Sequence, residues 1–271
     1  MNNMKQPIRI GALISGSGTN LQAIMDACES GYIDGRIVFI GSDNPDAAGL
    51  ERGRRLKIPI FAVNYSAIIQ RYKKTPKTVK VPDDFDLNAV LSKQSLFPAD
   101  ADSEKVKAFF LTRAAAEAKL LDRMNPYPFD LLVLAGFMRN LTPYFIDRVN
   151  TVPDRPRIMN IHPALLPAFP GIDGYGDTFR YGCKIGGCTV HFVDYGEDSG
   201  PIIGQKAYEI FEDDTLASVR EKGLKLEWEL FPECVKMFAE GRLKKLRKTY
   251  SLKDGKKIHR TVVKIFPSTK R

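Results

Sequence analysis

The chain has 271 residues, 44% of them hydrophobic, and a formal net charge of +9. That length allows one large domain or one domain with an appendage, and that apolar share supports a sizeable core, which excludes disorder throughout. Its longest apolar run, Leu131 to Met138, falls far short of the roughly 20 residues a membrane-spanning helix needs. Residues 8–14 (IRIGALI) read as a strand, ending in the turn SGSGTN, and Leu21, Ile24, Met25 and Cys28 then recur at helical spacing. Arg36–Gly41 reads as a second strand, Ala47–Leu56 as a helix and Pro59–Val63 as a third strand. Residues of about 66–106, with Pro76, Pro82 and Pro98, interrupt the alternation and read as an insertion or long loop with some helix. Helical periodicity returns over Glu104–Met124. Phe129–Gly136 reads as a buried central strand, followed by strands at Arg157–Ile161 and Thr189–Val193 and a short partner at Pro201–Gln205. A long helix over Thr215–Ala239 starts at a favourable cap cluster, Asp213-Asp214-Thr215. Strands alternating with helices predict an α/β fold, a mostly parallel twisted sheet with helices on both faces.

The positive charge is concentrated at one end. From Arg242 onward, twelve basic side chains face a single acid, Asp254, whereas the rest of the chain holds 29 basic and 31 acidic residues. The expected organisation is therefore one domain over residues 1–241, containing the 66–106 insertion, and a basic tail over 242–271. Such a tail can bind nucleic acid by neutralising phosphates. The favoured reading is a solvated extension that wraps or frays, with TVVKIF a candidate edge strand. The opening residues MNNMKQP lack the basic stretch, long apolar stretch and cleavage site of a secretory leader, and the four cysteines (Cys28, Cys183, Cys188, Cys234) show no C-x-x-C spacing. A cytoplasmic chain with reduced thiols, no membrane partner and no zinc site is expected.

Two places carry candidate chemistry. The first is the turn Gly16-Ser17-Gly18-Thr19-Asn20 between a strand and a helix, where glycines and free helix-terminal N–H groups make a seat for an anion. Leu21 stands where a dinucleotide fingerprint needs its third glycine, and no Gly-Lys-Ser/Thr follows, so neither a nicotinamide nor a Walker site is read. The second is Asn160-Ile161-His162-Pro163 at the end of a central strand. Asn160 and His162 project to the same side there, at the end of an open sheet where ligands bind. His191 opens HFVDYGEDSG, whose turn carries Asp194, Glu197 and Asp198. A carboxylate beside an imidazole raises its pKa and lets it act as an acid near neutral pH, and an asparagine N–H can stabilise an oxyanion. Each histidine also fits a structural role, His191 better than His162. No clustered ligand spacing supports a metal, and no G-x-S-x-G elbow supports a serine hydrolase. Spacing alone leaves transferase and hydrolase both open.

The stretches ISGSGTNLQAI, DLLVLAGFMRNLTPYFI, MNIHPALLPAFPG and GCTVHFVDYGEDSGPII, with EWELFP in the late helix, run in one order over roughly residues 8–243. In these the chain resembles the glycinamide ribonucleotide formyltransferases, folate-dependent enzymes of purine biosynthesis. The resemblance implies a formyltransferase fold and formyl transfer from 10-formyltetrahydrofolate to the amine of 5'-phosphoribosylglycinamide, with no metal. It implies Asn160, His162 and Asp198 as catalytic residues. Gly18, Thr19 and Asn20 fall on the phosphate loop and Glu227 on the helix position that contacts the glycinamide. The folate falls to Arg113, to Met138, Arg139, Asn140 and Leu141, to Asn160 and to the turn Asp194, Tyr195, Gly196, Glu197 and Asp198. The expected partners are these two small molecules, with a homodimer left open and nucleic acid on the tail not favoured.

The chain departs from that pattern in three places. The 66–106 segment is about thirty residues longer than the family usually carries. The segment GIDGYGDTFRYG differs from a loop that usually carries His or Tyr and leads into a short helix, and the tail is unusually basic. The altered loop keeps other acceptors open: methionyl-tRNA, a nucleotide amino sugar, or water, as in formyltetrahydrofolate hydrolase. A non-catalytic ligand- or RNA-binding protein on the same fold is the reading from a different class.

Overall fold

The computed structural model describes residues 6–152 and 154–268. Nine strands and eight α-helices are assigned there. Seven strands form one sheet in the order β3-β2-β1-β4-β5-β6-β7: β1 Ile8–Ile14, β2 Gly35–Ser42, β3 Ile60–Ala62, β4 Leu131–Leu134, β5 Ile158–His162, β6 Ile185–Phe192 and β7 Ile202–Glu209. The first five run parallel, whereas β6 joins β5, and β7 joins β6, antiparallel.

Alternate residues of the central strands go to opposite faces, as a period of two requires. Ile10, Ala12 and Ile14 of β1 and Leu131 and Val133 of β4 pack with α1 (Thr19–Glu29) and α8 (Leu216–Ala239) through Leu21, Ile24, Leu230 and Phe231. Leu13, Leu132 and Leu134 pack on the other face against α5 (Ser103–Met124) and α6 (Pro143–Val149) through Ala116, Leu120, Phe145 and Ile146. This is the predicted two-faced sheet. Thr215 caps α8 in a box with Ser218, and Asp102 caps α5 by accepting from the N–H groups of Glu104 and Lys105, each at 3.1 Å.

Three expectations gain detail. The Ala47–Leu56 helix is shorter, α2 Leu50–Arg55, because residues 47–49 make a turn whose Gly49 N–H reaches the Gly16 carbonyl at 2.9 Å. The insertion folds as α3 (Tyr65–Lys74), a 3-10 turn at Pro76–Thr78, and α4 (Leu87–Lys93) before α5 begins. The altered loop after β5 does form a helix, α7 Gly174–Arg180, with Tyr175 buried.

The largest correction is the basic tail. It is an ordered antiparallel hairpin, β8 Leu243–Ser251 with β9 Lys257–Ile265, forming its own two-stranded sheet rather than extending the edge of the main one. Leu243 and Val263 pack against the main core, and Lys245 lies 3.4 Å from Asp154. The alternation in TVVKIF marked the second of these strands, whereas the first, LKKLRKTYS, spaces its apolar residues too widely among basic ones to read as a strand.

Candidate active site

The C-terminal ends of the parallel strands release three loops on one side of the sheet: the glycine turn after β1, Gly136–Leu141 after β4, and Pro163–Asp173 after β5. With the turn after β6 they enclose a cleft of about 390 Å³, within the size range of small-molecule sites. Its wall holds Asn20, Arg113, Asn160, His162 and Glu227. Met138, Arg139, Asn140, Leu141, Gly196, Glu197 and Asp198 complete the predicted residues that line it. Four predicted residues do not line it. Gly18 and Thr19 stand beside it at the start of α1. Asp194 accepts from Gly196 N–H (3.2 Å) and the Ser199 hydroxyl (2.6 Å), and the Tyr195 hydroxyl donates to Asp147 (2.5 Å). Asp194 and Tyr195 shape the turn.

At the centre, the Asp198 carboxylate gathers donors. His162 Nδ1 lies 3.1 Å from its Oδ2, the Gly171 N–H donates to the same oxygen at 2.9 Å, and the Asn160 amide approaches Oδ1 at 3.4 Å. The other ring nitrogen of His162, Nε2, is 2.8 Å from the Phe169 carbonyl. Both nitrogens therefore face atoms that only accept, and the doubly protonated imidazolium is the form that satisfies both. Burial pushes the His162 pKa down, but the bond and charge of Asp198, with the Phe169 carbonyl and Glu227, outweigh it, and the net direction is upward. Burial pushes Asp198 up, but its bonds with His162 and His191 and the Gly171 N–H hold it well below the ordinary carboxylate range.

His191, which the sequence favoured as structural, belongs to this cluster. The β5–β6 register sets it opposite Asn160, so its imidazole lies in the cleft wall. Its Nδ1 faces the Phe192 carbonyl at 3.0 Å, and Nε2 lies 3.2 Å from the Asn160 amide nitrogen and 3.5 Å from Asp198 Oδ1. With the proton on Nδ1, Nε2 accepts from Asn160 and orients that amide. The signal was available: alternate residues of HFV and NIH on neighbouring strands share a face. It needed the pairing of β5 with β6, which spacing does not give. The Phe169 carbonyl and Gly171 N–H were not legible at all, being backbone groups of a loop where Phe169 has φ 52° and Gly171 φ 103°.

At the other end of the cleft, Glu227 is buried. It accepts from the Asn20 amide and from the Tyr175 hydroxyl, each at 2.5 Å. Burial pushes its pKa up, and the two bonds and the nearby His162 pull the other way. Asn20 Oδ1 is buried without a hydrogen-bond partner. Gly18 sits in the left-handed region at φ 67°, so the chain turns tightly into α1, whose first turn has no side-chain cap. The first N–H groups of α1 thus keep the unfilled donors expected of a helix start. Arg52 braces this turn by donating to the Ser17 carbonyl at 3.1 Å and to Gln22 at 2.6 Å.

Behind the loop after β4, Arg139 pairs with Asp43 at 2.5 Å, and Arg113 lies over the rings of Phe109 and Tyr65. Burial lowers the Arg113 pKa, and its buried Nε has no hydrogen-bond partner. Glu117, fully buried, accepts from both the Thr142 N–H and its hydroxyl, and burial pushes its pKa up to about 7. On the cleft rim, Asn140 donates to Glu197 at 3.0 Å, joining two of the segments predicted to receive the folate.

A mostly parallel sheet thus carries an Asn–His–Asp cluster and a glycine turn at its strand ends, in a chain that is similar to the formyl transferase family. The chain matches that family over residues 8–235 and belongs to it. It is 32% identical over 228 residues to the phosphoribosylglycinamide formyltransferase of Bacillus subtilis, covering 84% of this chain and 93% of that one. It is 32% identical over 248 residues to the enzyme of the same name from Haemophilus influenzae, covering 92% and 94%. Among solved structures, glycinamide ribonucleotide transformylase 1 from Symbiobacterium toebii superposes with a TM-score of 0.68 at 35% identity, over 98% of each chain.

Proposed function

We propose that this chain transfers the formyl group of 10-formyltetrahydrofolate to the amine of 5'-phosphoribosylglycinamide. The observation that carries the reading is the buried Asp198–His162 pair beside Asn160, in a cleft that also holds Asn20 and Glu227. A phosphate fits the start of α1, and the acceptor amine fits the Glu227 carboxylate between that turn and His162. The apolar lining of Leu134, Phe137, Met138, Leu141 and Val193 suits a flat heterocycle, with Arg113 and Arg139 toward an anionic end.

In the reaction, the acceptor amine attacks the formyl carbon. A C–N bond forms and the formyl oxygen takes up the negative charge. The Asn160 N–H that only loosely approaches Asp198, at 3.4 Å, turns to that oxyanion, a role in which a preorganised donor is worth roughly 3–4 kcal/mol, and the positive charge of the His162 imidazolium adds to it. Asp198 keeps His162 protonated and helps carry the proton lost by the amine to the folate nitrogen as the old C–N bond breaks. His191 holds the Asn160 amide in position. No covalent enzyme intermediate is required. A biosynthetic reaction on two small molecules suits a cytoplasmic enzyme with those molecules as its partners, and, separately, no helix among the described residues is long and apolar enough to cross a membrane.

The test is a folate-absorbance assay with 10-formyltetrahydrofolate and a panel of acceptors. Deformylation that requires phosphoribosylglycinamide is expected. Deformylation without any acceptor would make the chain a hydrolase, and turnover only with methionyl-tRNA or an amino sugar nucleotide would move the acceptor.

A further inference from the structure

The insertion ends against the catalytic turn. The Ser95 N–H donates to the Tyr195 carbonyl at 3.0 Å, making a parallel bridge between Ser95 and Gly196. The two segments are packed closely enough that a Cβ on Gly196 would lie 2.7 Å from the Ser95 hydroxyl. Beside the bridge, Lys93 reaches Asp147 Oδ2 at 2.6 Å while the Tyr195 hydroxyl donates to Oδ1 of the same carboxylate. The segment is itself stiff. Gln94 closes a small ring with Phe97 through both its amide oxygen (2.9 Å) and its amide nitrogen (3.2 Å). Phe97 packs edge-on against Phe109 and Phe110 of α5, centroids 5.0 and 5.9 Å apart, one turn from Arg113. Two residues beyond Gly196 the chain enters the left-handed region at Asp198, φ 47°. Gly196, Glu197 and Asp198 all line the cleft.

We propose that residues 93–97 are a strut: through the Ser95–Gly196 bridge they hold the turn 194–198 at the height required to receive the formyl donor. Ser95 and Lys93 are positioning residues, for neither lines the cleft. The strut explains what the insertion is for. It ties α5, which carries Arg113, to the turn that carries Glu197 and Asp198, so both walls of the donor end move as one. Among the described residues no hydrogen bond or ion pair joins it to the acceptor end, built from Asn20, Tyr175 and Glu227. This inference rests on the donor-and-acceptor reading above and predicts an effect on one substrate only.

Ser95→Pro removes the bridging N–H, and Gln94 before it already has the extended backbone (φ −66°, ψ 147°) that a following proline needs. Steady-state kinetics with 10-formyltetrahydrofolate and phosphoribosylglycinamide should show donor KM raised about tenfold, the scale of one net hydrogen bond, with acceptor KM unchanged. Ser95→Ala keeps the bridge and should match the wild type. Lys93→Glu, an exposed change that leaves folding intact, sets like charge against Asp147 and should raise donor KM about threefold. If Ser95→Pro fails to fold, Lys93→Glu decides alone. Loss of active fraction with both KM values unchanged, or equal rises in both, overturns the strut. A wild type that does not turn over the two substrates overturns the functional reading instead, before any variant is compared.

Discussion

The catalytic corner and the donor rim are built from opposite materials. In the corner, Asn160, His162 and His191 stand on strands β5 and β6, and His162 and His191 are each only 2% exposed. The two imidazoles, the Asn160 amide nitrogen and the Asp198 carboxylate answer to one another, so removing one leaves its partner unpaired in a dry place. On the rim, Asn140 and Glu197 are exposed and lie on loops, where water replaces a lost bond at little cost. The corner is therefore where chemistry is decided and the rim where affinity is tuned. Substitutions should separate the two.

The largest effect is expected at the corner. His162→Ala and Asp198→Asn should each lower turnover by roughly 10³-fold, the combined scale of a lost proton donor and a lost oxyanion contact, with circular dichroism unchanged. Near-full activity in either purified variant removes that residue from the chemistry. Next comes the acceptor end. Glu227→Ala leaves Asn20 and Tyr175 buried without their acceptor, and a loss of about 2–3 kcal/mol of unfolding free energy is expected in urea titrations, with acceptor KM raised and donor KM preserved. A donor KM that rises instead would break the division of the cleft into two ends. The smallest effect is on the rim: Asn140→Ala should raise donor KM only about twofold to threefold, and a hundredfold change would place Asn140 in the chemistry.

The corner also sets a pH dependence of stability. Asp198 is held below its ordinary range, so its contribution is present above about pH 4 and is lost as pH falls through the lower folded value. His162 is raised, so its contribution is full below about pH 6.5 and is lost as pH rises through the raised value. Thermal melts of Asp198→Asn should flatten both limbs relative to the wild type.

Much of this was legible in the sequence because it depends on local pattern. The strand–turn–helix at the start, the buried runs of β4 and β5, and the same-side placement of Asn160 and His162 follow from periods of 2 and 3.6. Three features did not follow, each for its own reason. His191 enters the site only through the register that β6 adopts against β5. Only the second strand of the hairpin at Leu243–Ile265 showed in the sequence, through TVVKIF, because basic residues crowd the first. The strut is a backbone contact between residues one hundred positions apart, and a backbone N–H leaves no mark on the side-chain sequence. What a single sequence reveals is which side chains carry chemistry; which backbone groups aim them appears only when the chain is folded.

The account turns on a His162 kept protonated by Asp198, and the pH dependence of kcat for the wild type and Asp198→Asn tests it most directly. The wild type should hold its turnover above pH 6.5 before an alkaline limb sets in, and in Asp198→Asn that limb should move to lower pH, because the charge that raises the imidazole is gone. The same alkaline limb in both proteins would contradict it.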